Sequence, residues 1–424
     1  MTLTIQQILD VIEQRLDSQL TAAEIAEKAG YSVFHFYHLF QAETGMSLMQ
    51  YITRRKILAA IVEVSNGVGI TEAALKYGFS THSGFFRAFV KEYGVSPSDY
   101  LTLQPSPHKH RIQLEKEQYK FMHINQIRKL LSNWNIDQAD IKPAYQPNNS
   151  LLSEHVWVMD ENYYLKLFSS YDALQKERTL ANQTGRKQNI LPSCSGDDYI
   201  ESQGNFFMMF YKIEGTPILS SDMLNHTEQG RYIGEIIGQI TRQLQPITGD
   251  FKENNLLQTV TEWALPQASQ QLNLSTDWKK SFKNQIAVLF PKLPRQVIHR
   301  DLNGGNLLIQ EGEFTPIDFE LAEINFRIYD PCYFLTSVLS EQFGVNNSSC
   351  LALVKEVFTG YDQVVKLTTQ EKAAIPYVML SNQLICVAYF SEYEKHSQFL
   401  KTNKEMTQWL IEQFDCLQHL TTAL

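Results

Sequence analysis

The sequence predicts a multidomain chain: a small all-α domain at the N-terminus, then a larger α+β domain of two lobes, the first mixed and the second mostly helical. Three observations carry this reading. A pattern of residues near position 24 recurs 48 positions later, the mark of a supersecondary unit used twice. Strand-like runs cluster between residues 150 and 213, and helical patterns dominate beyond them. Charge is also split: residues 1–130 hold 14 basic and 12 acidic side chains, whereas the remainder holds 23 and 34. At 424 residues, 43% hydrophobic and 20% charged, the chain can fill two to three cores, which excludes wholesale disorder.

The repeat is read residue by residue. Glu24, Ala26, Gly30 and Ser32 return as Glu72, Ala74, Gly78 and Ser80. After a one-residue slip, Phe36, Phe40, Gly45, Ser47 and Tyr51 return as Phe85, Phe89, Gly94, Ser96 and Tyr100. Each unit reads as helix, tight turn, helix. Thr21, Ser32, Thr71 and Ser80 are the expected N-caps, because a side-chain oxygen there accepts an otherwise unpaired amide. Gly30 and Gly78 stand where the chain reverses, a position that favours positive φ. The stretch from Leu48 to Ser65 reads as one long helix between the units.

Two helices joined by such a turn form a helix-turn-helix, whose second helix fits the major groove of double-stranded DNA. The outward side of that helix offers Val33, Phe34, Tyr37, His38 and Gln41 in the first unit, and Thr81, His82, Phe86 and Arg87 in the second. Arg87 is the best candidate for a bidentate guanine contact, and Arg54, Arg55, Lys56 and Lys91 are candidates for phosphate contacts. With GFSTHSGFFRAFVKEYGVSPSDY at 78–100 and AAEIAEKAGYSVFHFYHLF before it, residues 5–103 resemble the DNA-binding domain of AraC/XylS-type transcription regulators. His38 departs from that pattern, which commonly has arginine there.

Residues 1–103 are therefore expected to form the reader and 104–118 (two prolines, several basic residues) an exposed linker. The rest, 119–424, is the second domain, with a small lobe to about 213 and a helical lobe from about 214. HVWVMD and NYYLKLF read as a strand pair carrying Lys166, followed by a helix containing Glu177. The chemical centre is VIHRDLNGGNLLIQEGEFTPIDFE, 297–320. Asn306 follows Asp301 by five residues, and Asp318 follows Asn306 by twelve. That spacing suits phosphoryl transfer: one carboxylate takes a proton from the attacking hydroxyl, while a second carboxylate and an amide hold Mg²⁺ against nucleotide phosphates.

This segment resembles the kinase-like phosphotransferases of the aminoglycoside phosphotransferase and choline kinase type, over roughly residues 122–415. The resemblance implies a protein-kinase-like α+β bilobal fold using Mg²⁺ with ATP or GTP. It implies that Asp301 is the catalytic base and that Asn306 and Asp318 are metal ligands. Lys166 would bind phosphates with Glu177 as its ion-pair partner, Asp330 would buttress the catalytic loop, and the hinge from Met209 through Tyr211 to Ile213 would meet the adenine. Two departures stand out. The loop expected to cover the phosphates, QPNNSLLSEHVW, has no glycine, leaving Asn148, Asn149, Ser150 or Ser153 to cap them. Arg300 stands where small-molecule kinases commonly carry glycine.

Five scattered cysteines with no CxxC pair fit a reducing compartment, and the N-terminus lacks a signal-peptide pattern, so a cytoplasmic protein is expected. The least charged stretch, Ile375 to Phe390, reads as a buried helix and not a membrane span. The acidic second half, with Tyr389, Phe390, Glu392, Tyr393 and Glu394 as an aromatic and acidic wall, suggests a cationic small molecule. The leading expectation is a sequence-specific DNA-binding transcription regulator whose kinase-like domain binds Mg-nucleotide and senses or phosphorylates a small molecule. The alternatives are a small-molecule O-phosphotransferase with an autoregulatory DNA-binding domain, and a pure sensor with an inactive kinase fold.

Overall fold

A computed structural model describes residues 3–107, 109–117, 121–146, 151–345, 347–393 and 396–424. Asn148, Asn149, Ser150 and Glu394 lie outside the described residues. The chain forms two compact units: residues 1–171 with 189–212, and residues 172–188 with 213–424.

The first unit begins with seven helices: α1 (Ile5–Glu13), α2 (Ala22–Ala29), α3 (Val33–Thr44), α4 (Leu48–Ser65), α5 (Ile70–Lys76), α6 (His82–Tyr93) and α7 (Pro97–Leu103). The expected caps form at Thr21 and Ser32, and Ser47 and Ser96, not singled out as caps from the sequence, cap α4 and α7; each hydroxyl accepts an amide of the first turn. Two expected caps move by one or two residues. Gly69 precedes α5 with no side-chain cap, displacing Thr71 into the helix, and Thr81 rather than Ser80 caps α6 by accepting from the Gly84 amide. Gly30 and Gly78 turn the chain at φ 77° and 86°, a region costly to residues with a Cβ.

The two halves of the repeat bury separate cores. Phe36, Phe40, Tyr51 and Ile52 pack in the first, and Phe85, Phe89, Tyr100, Ile57 and Ile61 in the second. Helix α4 therefore serves both, its N-terminal part in one core and its middle in the other. The described part of the expected linker is not a free tether. Ile112 is buried in the first core, Gln6 bonds the Ile112 carbonyl and the Leu114 amide, and Arg111 pairs with Asp10. One apolar residue at the right place suffices to seat such a strap, which composition averages conceal.

The same unit continues through α8 (Ile124–Leu130) into an antiparallel sheet of β1 (Ile141–Gln146), β2 (Leu151–Met159), β3 (Tyr163–Phe168), β4 (Ile190–Leu191), β5 (Ile200–Ser202) and β6 (Asn205–Tyr211). The order is β1-β2-β3-β6-β4, with β5 on β6. One face packs Trp157, Leu165, Leu167, Phe207 and Met209 against Ile127, Leu131 and Trp134.

The second unit starts with α9 (Tyr171–Gln183) and is mainly helical around two small sheets. One holds β7 (Thr216–Pro217), β9 (Leu307–Gln310) and β10 (Glu313–Pro316); the other pairs β8 (Arg295–Ile298) with β11 (Glu323–Phe326). The apolar stretch at 375–390 lies in the helix Thr369–Ser391, long and apolar enough by composition to cross a membrane but mostly buried inside this unit, with Pro376 within it.

Candidate functional site

The second unit assembles one constellation around Asp301. Strand β8 ends at Ile298, whose partner on β11 is Glu323, so the chain leaves the sheet directly into His299-Arg300-Asp301. The loop is held from below by Asp330, at the start of the helix Tyr329–Gln342. Its two carboxylate oxygens accept the amides of His299 (2.9 Å) and Arg300 (2.8 Å). Burial pushes the Asp330 carboxyl up to about 7, opposed by these two amide donors. His299 is buried and neutral, its pKa depressed to about 4 by desolvation, and its Nε2 lies 2.9 Å from the Ile317 carbonyl. That bond ties the Asp301 loop to the Asp318 loop. Arg300 takes positive φ (71°), the conformation a glycine would adopt without strain, and its guanidinium pairs with Glu323 at 3.3 Å.

Asp301 is surrounded by donors. Tyr333 donates to Oδ1 at 2.8 Å, Asn303 Nδ2 approaches the same oxygen at 3.2 Å, and Asn306 Nδ2 donates to Oδ2 at 3.0 Å. Burial raises the Asp301 pKa to about 6, with the Asp318 charge adding to it and the three donors opposing. Asn303 also folds the loop, its Oδ1 accepting from Gly305 and Asn306. Because the Asn306 nitrogen is spent on Asp301, its amide oxygen is the atom left for a ligand. The Ile317 amide donates to the Asn306 backbone carbonyl at 3.0 Å, so Asn306 and Asp318 are neighbours that would offer hard oxygens to a dication, whose charge would relieve the Asp318 repulsion on Asp301. The donors thus fit Mg²⁺, which typically takes one or two protein ligands plus phosphates and water.

The sequence reading named Asp301, Asn306, Asp318 and Asp330, and these are brought together. It missed Tyr333 and Asn303. Asn303 lies in the quoted segment DLNGGN and Tyr333 three residues after Asp330, but only the fold turns them onto Asp301. Glu177 is buried on α9 and accepts the Phe319 amide at 2.6 Å, beside Arg186 at 4.0 Å. Its work within this unit is therefore to hold the residue after Asp318. Of the aromatic wall, Tyr389 and Tyr393 pack at 4.7 Å and Glu392 accepts from Trp263. On the helix that carries Tyr389, the Cys386 thiol is pushed up to about 12 by burial and then by the Asp301 charge.

In the first unit, Lys166 is buried on β3 between Val156 and Met208, with Nζ 4.8 Å from the Phe168 ring centre. Ser153 is also buried, and its hydroxyl accepts from the His155 and Val156 amides of its own strand, so it is committed locally. Met209 belongs to the sheet core, whereas Tyr211, at the end of β6, is 44% exposed.

The reader presents two dissimilar surfaces. On α3, Phe34 is 76% exposed, its ring edge-on to His38, beside exposed Val33, His38 and Gln41 and a half-buried Tyr37. On α6, Thr81, His82, Arg87 and Lys91 are exposed, as is Phe86 at 39%. The three cations of α4, expected as phosphate contacts, are engaged by other residues of the same unit. Arg55 is 4% exposed and held by Glu13 and the His110 carbonyl, Lys56 donates to the Ser18 carbonyl, and Arg54 pairs with Glu154 and Glu92. Charge pattern alone does not show that carboxylates distant in sequence reach one helix.

Two family models match the chain. A family model described as a helix-turn-helix domain matches residues 7–102, and that of the phosphotransferase enzyme family matches residues 146–352. The multiple antibiotic resistance protein MarA of Escherichia coli is 39% identical over 100 residues, 23% of this chain and 78% of MarA. The transcriptional activator AarP of Providencia stuartii is 36% identical over 97 residues, 23% of this chain and 72% of AarP. Among solved structures, a microcompartment-associated aminopropanol kinase superposes with a TM-score of 0.53 at 13% identity, covering 70% of this chain and 98% of that one. A point mutant of an aminoglycoside 2'-phosphotransferase-IIIa, in its GDP complex, gives 0.52 at 14%, covering 69% and 98%. These two likenesses establish the kinase-like fold.

Proposed function

Since the chain belongs to the AraC-type family of helix-turn-helix proteins and carries a phosphotransferase-type domain behind its reader, we propose that it is a cytoplasmic, sequence-specific transcription regulator whose second domain binds Mg²⁺-nucleotide and senses or phosphorylates a small molecule. The observation that carries the regulator reading is the exposed first turn of both recognition helices over fully buried Phe36, Phe40, Phe85 and Phe89. A helix placed in this way offers side chains to base edges and keeps its core face dry. Double-stranded DNA is the partner, read by Val33, Phe34, Tyr37, His38 and Gln41 at one groove and by Thr81, His82, Phe86 and Arg87 at the next, about 10 bp away. Lys91 is the phosphate contact of this set, and the α4 cations are left out of it.

In the second domain, ATP or GTP is the nucleotide. Asp301 accepts the proton of a substrate hydroxyl, oriented by Tyr333, Asn303 and Asn306. Asn306 and Asp318 hold Mg²⁺, which supplies charge neutralisation on the phosphates. Lys166 is the phosphate-binding cation. A cationic amine suits the acidic half, with Tyr389 and Tyr393 beside the acceptor.

Selection of duplexes from a random pool, followed by footprinting, tests the reader: a protected site of two half-sites is expected, and no protected site would refute it. The ordered donors around Asp301 favour a second reading, an O-phosphotransferase with an autoregulatory reader. Mg²⁺-dependent ADP release on a panel of amines and hydroxylated metabolites tests that one, with Asp301→Asn expected to abolish it.

A further inference from the structure

Two recognition helices on one chain can both bind only if their separation and mutual roll match successive major grooves. Helix α4 joins the two units, and its 18 residues span about 27 Å. The two cores packed on α4 set the gross orientation of the units, but a helix of this length bends, so contacts that other segments make to both units also act on their mutual roll.

One short segment of the small lobe, Phe121–Gln126, touches the C-terminal ends of both recognition helices and α4 between them. At the end of α3, the Phe121 amide donates to the Thr44 carbonyl at 3.1 Å and Gln126 Nε2 donates to the Gly45 carbonyl at 2.9 Å. At the end of α6, His123 Nε2 lies 3.5 Å from a Glu92 carboxylate oxygen. His123 Nδ1 accepts the Asn125 amide, so the ring proton sits on Nε2 and faces Glu92. Gly94, the residue after α6, leaves room for close approach: a Cβ there would come within 2.8 Å of the Ile141 carbonyl oxygen and 3.3 Å of Ile124 Cδ1. From α4, Arg54 donates to the Met122 carbonyl at 3.4 Å and stands over the Phe121 ring. These contacts leave the exposed first turns of α3 and α6 uncovered.

We propose that Phe121–Gln126 is a bracket that fixes the two reading helices in register, so that the kinase-like half and not the reader alone determines whether both half-sites are engaged together. His123 and Gln126 are its positioning residues. The proposal rests on the DNA-binding reading above and adds to it where the two-groove geometry comes from.

The test uses the full-length chain and a duplex selected from a random pool by the wild type, together with two versions in which one half-site or the other is scrambled. The variant is His123→Asn with Gln126→Glu. Asparagine at the cap and glutamate three residues on preserve the capping box of α8, while the donors to Glu92 and Gly45 are lost. Affinity for the intact duplex falls about tenfold, while affinities for the two scrambled duplexes stay equal to wild type apart from a uniform small loss from the added charge. Gln126→Glu alone, a milder change, shifts the same ratio in the same direction. An unchanged ratio of intact to scrambled affinity in both variants, or equal losses on all three duplexes, overturns the bracket. A wild type that selects no duplex overturns the DNA-binding reading itself, and the bracket with it.

Discussion

The phenol of Tyr333 donates to Asp301 Oδ1 across 2.8 Å, linking the Asp301 loop to the helix that also carries Asp330. A hydrogen bond to the ionised form lowers a carboxyl pKa, and here it opposes burial and the Asp318 charge, which together raise Asp301 to about 6. A base works only when ionised. The pH profile of kcat/KM for ADP release should therefore fall on the acid side near 6, and Tyr333→Phe should move that limb to higher pH. An unmoved limb would remove Asp301 as the titrating group.

Asp330 is a separate case because it touches backbone alone. Replacing it with alanine leaves the buried amides of His299 and Arg300 unpaired, at a cost of about 3 kcal/mol. The expected readout is a lower denaturation midpoint of the second unit in urea. Equal stability of wild type and Asp330→Ala would mean that water replaces both contacts.

Arg55 and Arg87 are predicted to differ although both lie in the reader. Arg87 is exposed on α6, so Arg87→Ala should cost about 1–3 kcal/mol of binding at one base pair of the selected site. Arg55 is buried on Glu13, so Arg55→Ala should destabilise the fold by about 3–5 kcal/mol and leave the salt dependence of DNA binding unchanged. Mobility shifts over a salt series, with urea melts beside them, separate the two.

Arg300 holds φ 71°, a conformation suited to glycine. Arg300→Gly should relieve backbone strain of about 1 kcal/mol but lose the ion pair to Glu323. The net change in stability is therefore expected to be within about 1 kcal/mol, checked by thermal denaturation.

What the sequence discloses follows physical range. The buried aromatic pairs, the turn glycines and the Asp301-Asn306-Asp318 spacing are local patterns, legible from neighbours in the chain. Ile112 beneath the reader, Glu13 on Arg55 and Tyr333 on Asp301 are meetings of segments tens of residues apart, which no local period encodes. Ser153 illustrates a third limit: a serine near a phosphate-type loop looks available, but its own strand takes up its hydroxyl through the His155 and Val156 amides. The cap at Ser80 missed by one residue because the repeat slips there and Thr81 offers a neighbouring hydroxyl; the one at Thr71 missed because the position 48 residues after Thr21 is Gly69, which has no side chain to mark it.

The most direct test of a DNA reader joined to a nucleotide-binding phosphotransferase fold is calorimetric titration of the DNA-bound, full-length chain with ATP in the presence and absence of Mg²⁺. The account predicts saturable, Mg²⁺-dependent binding that Asp318→Ala removes while the DNA footprint persists. ATP binding indifferent to Mg²⁺ and to Asp318, or no binding at all, would contradict it.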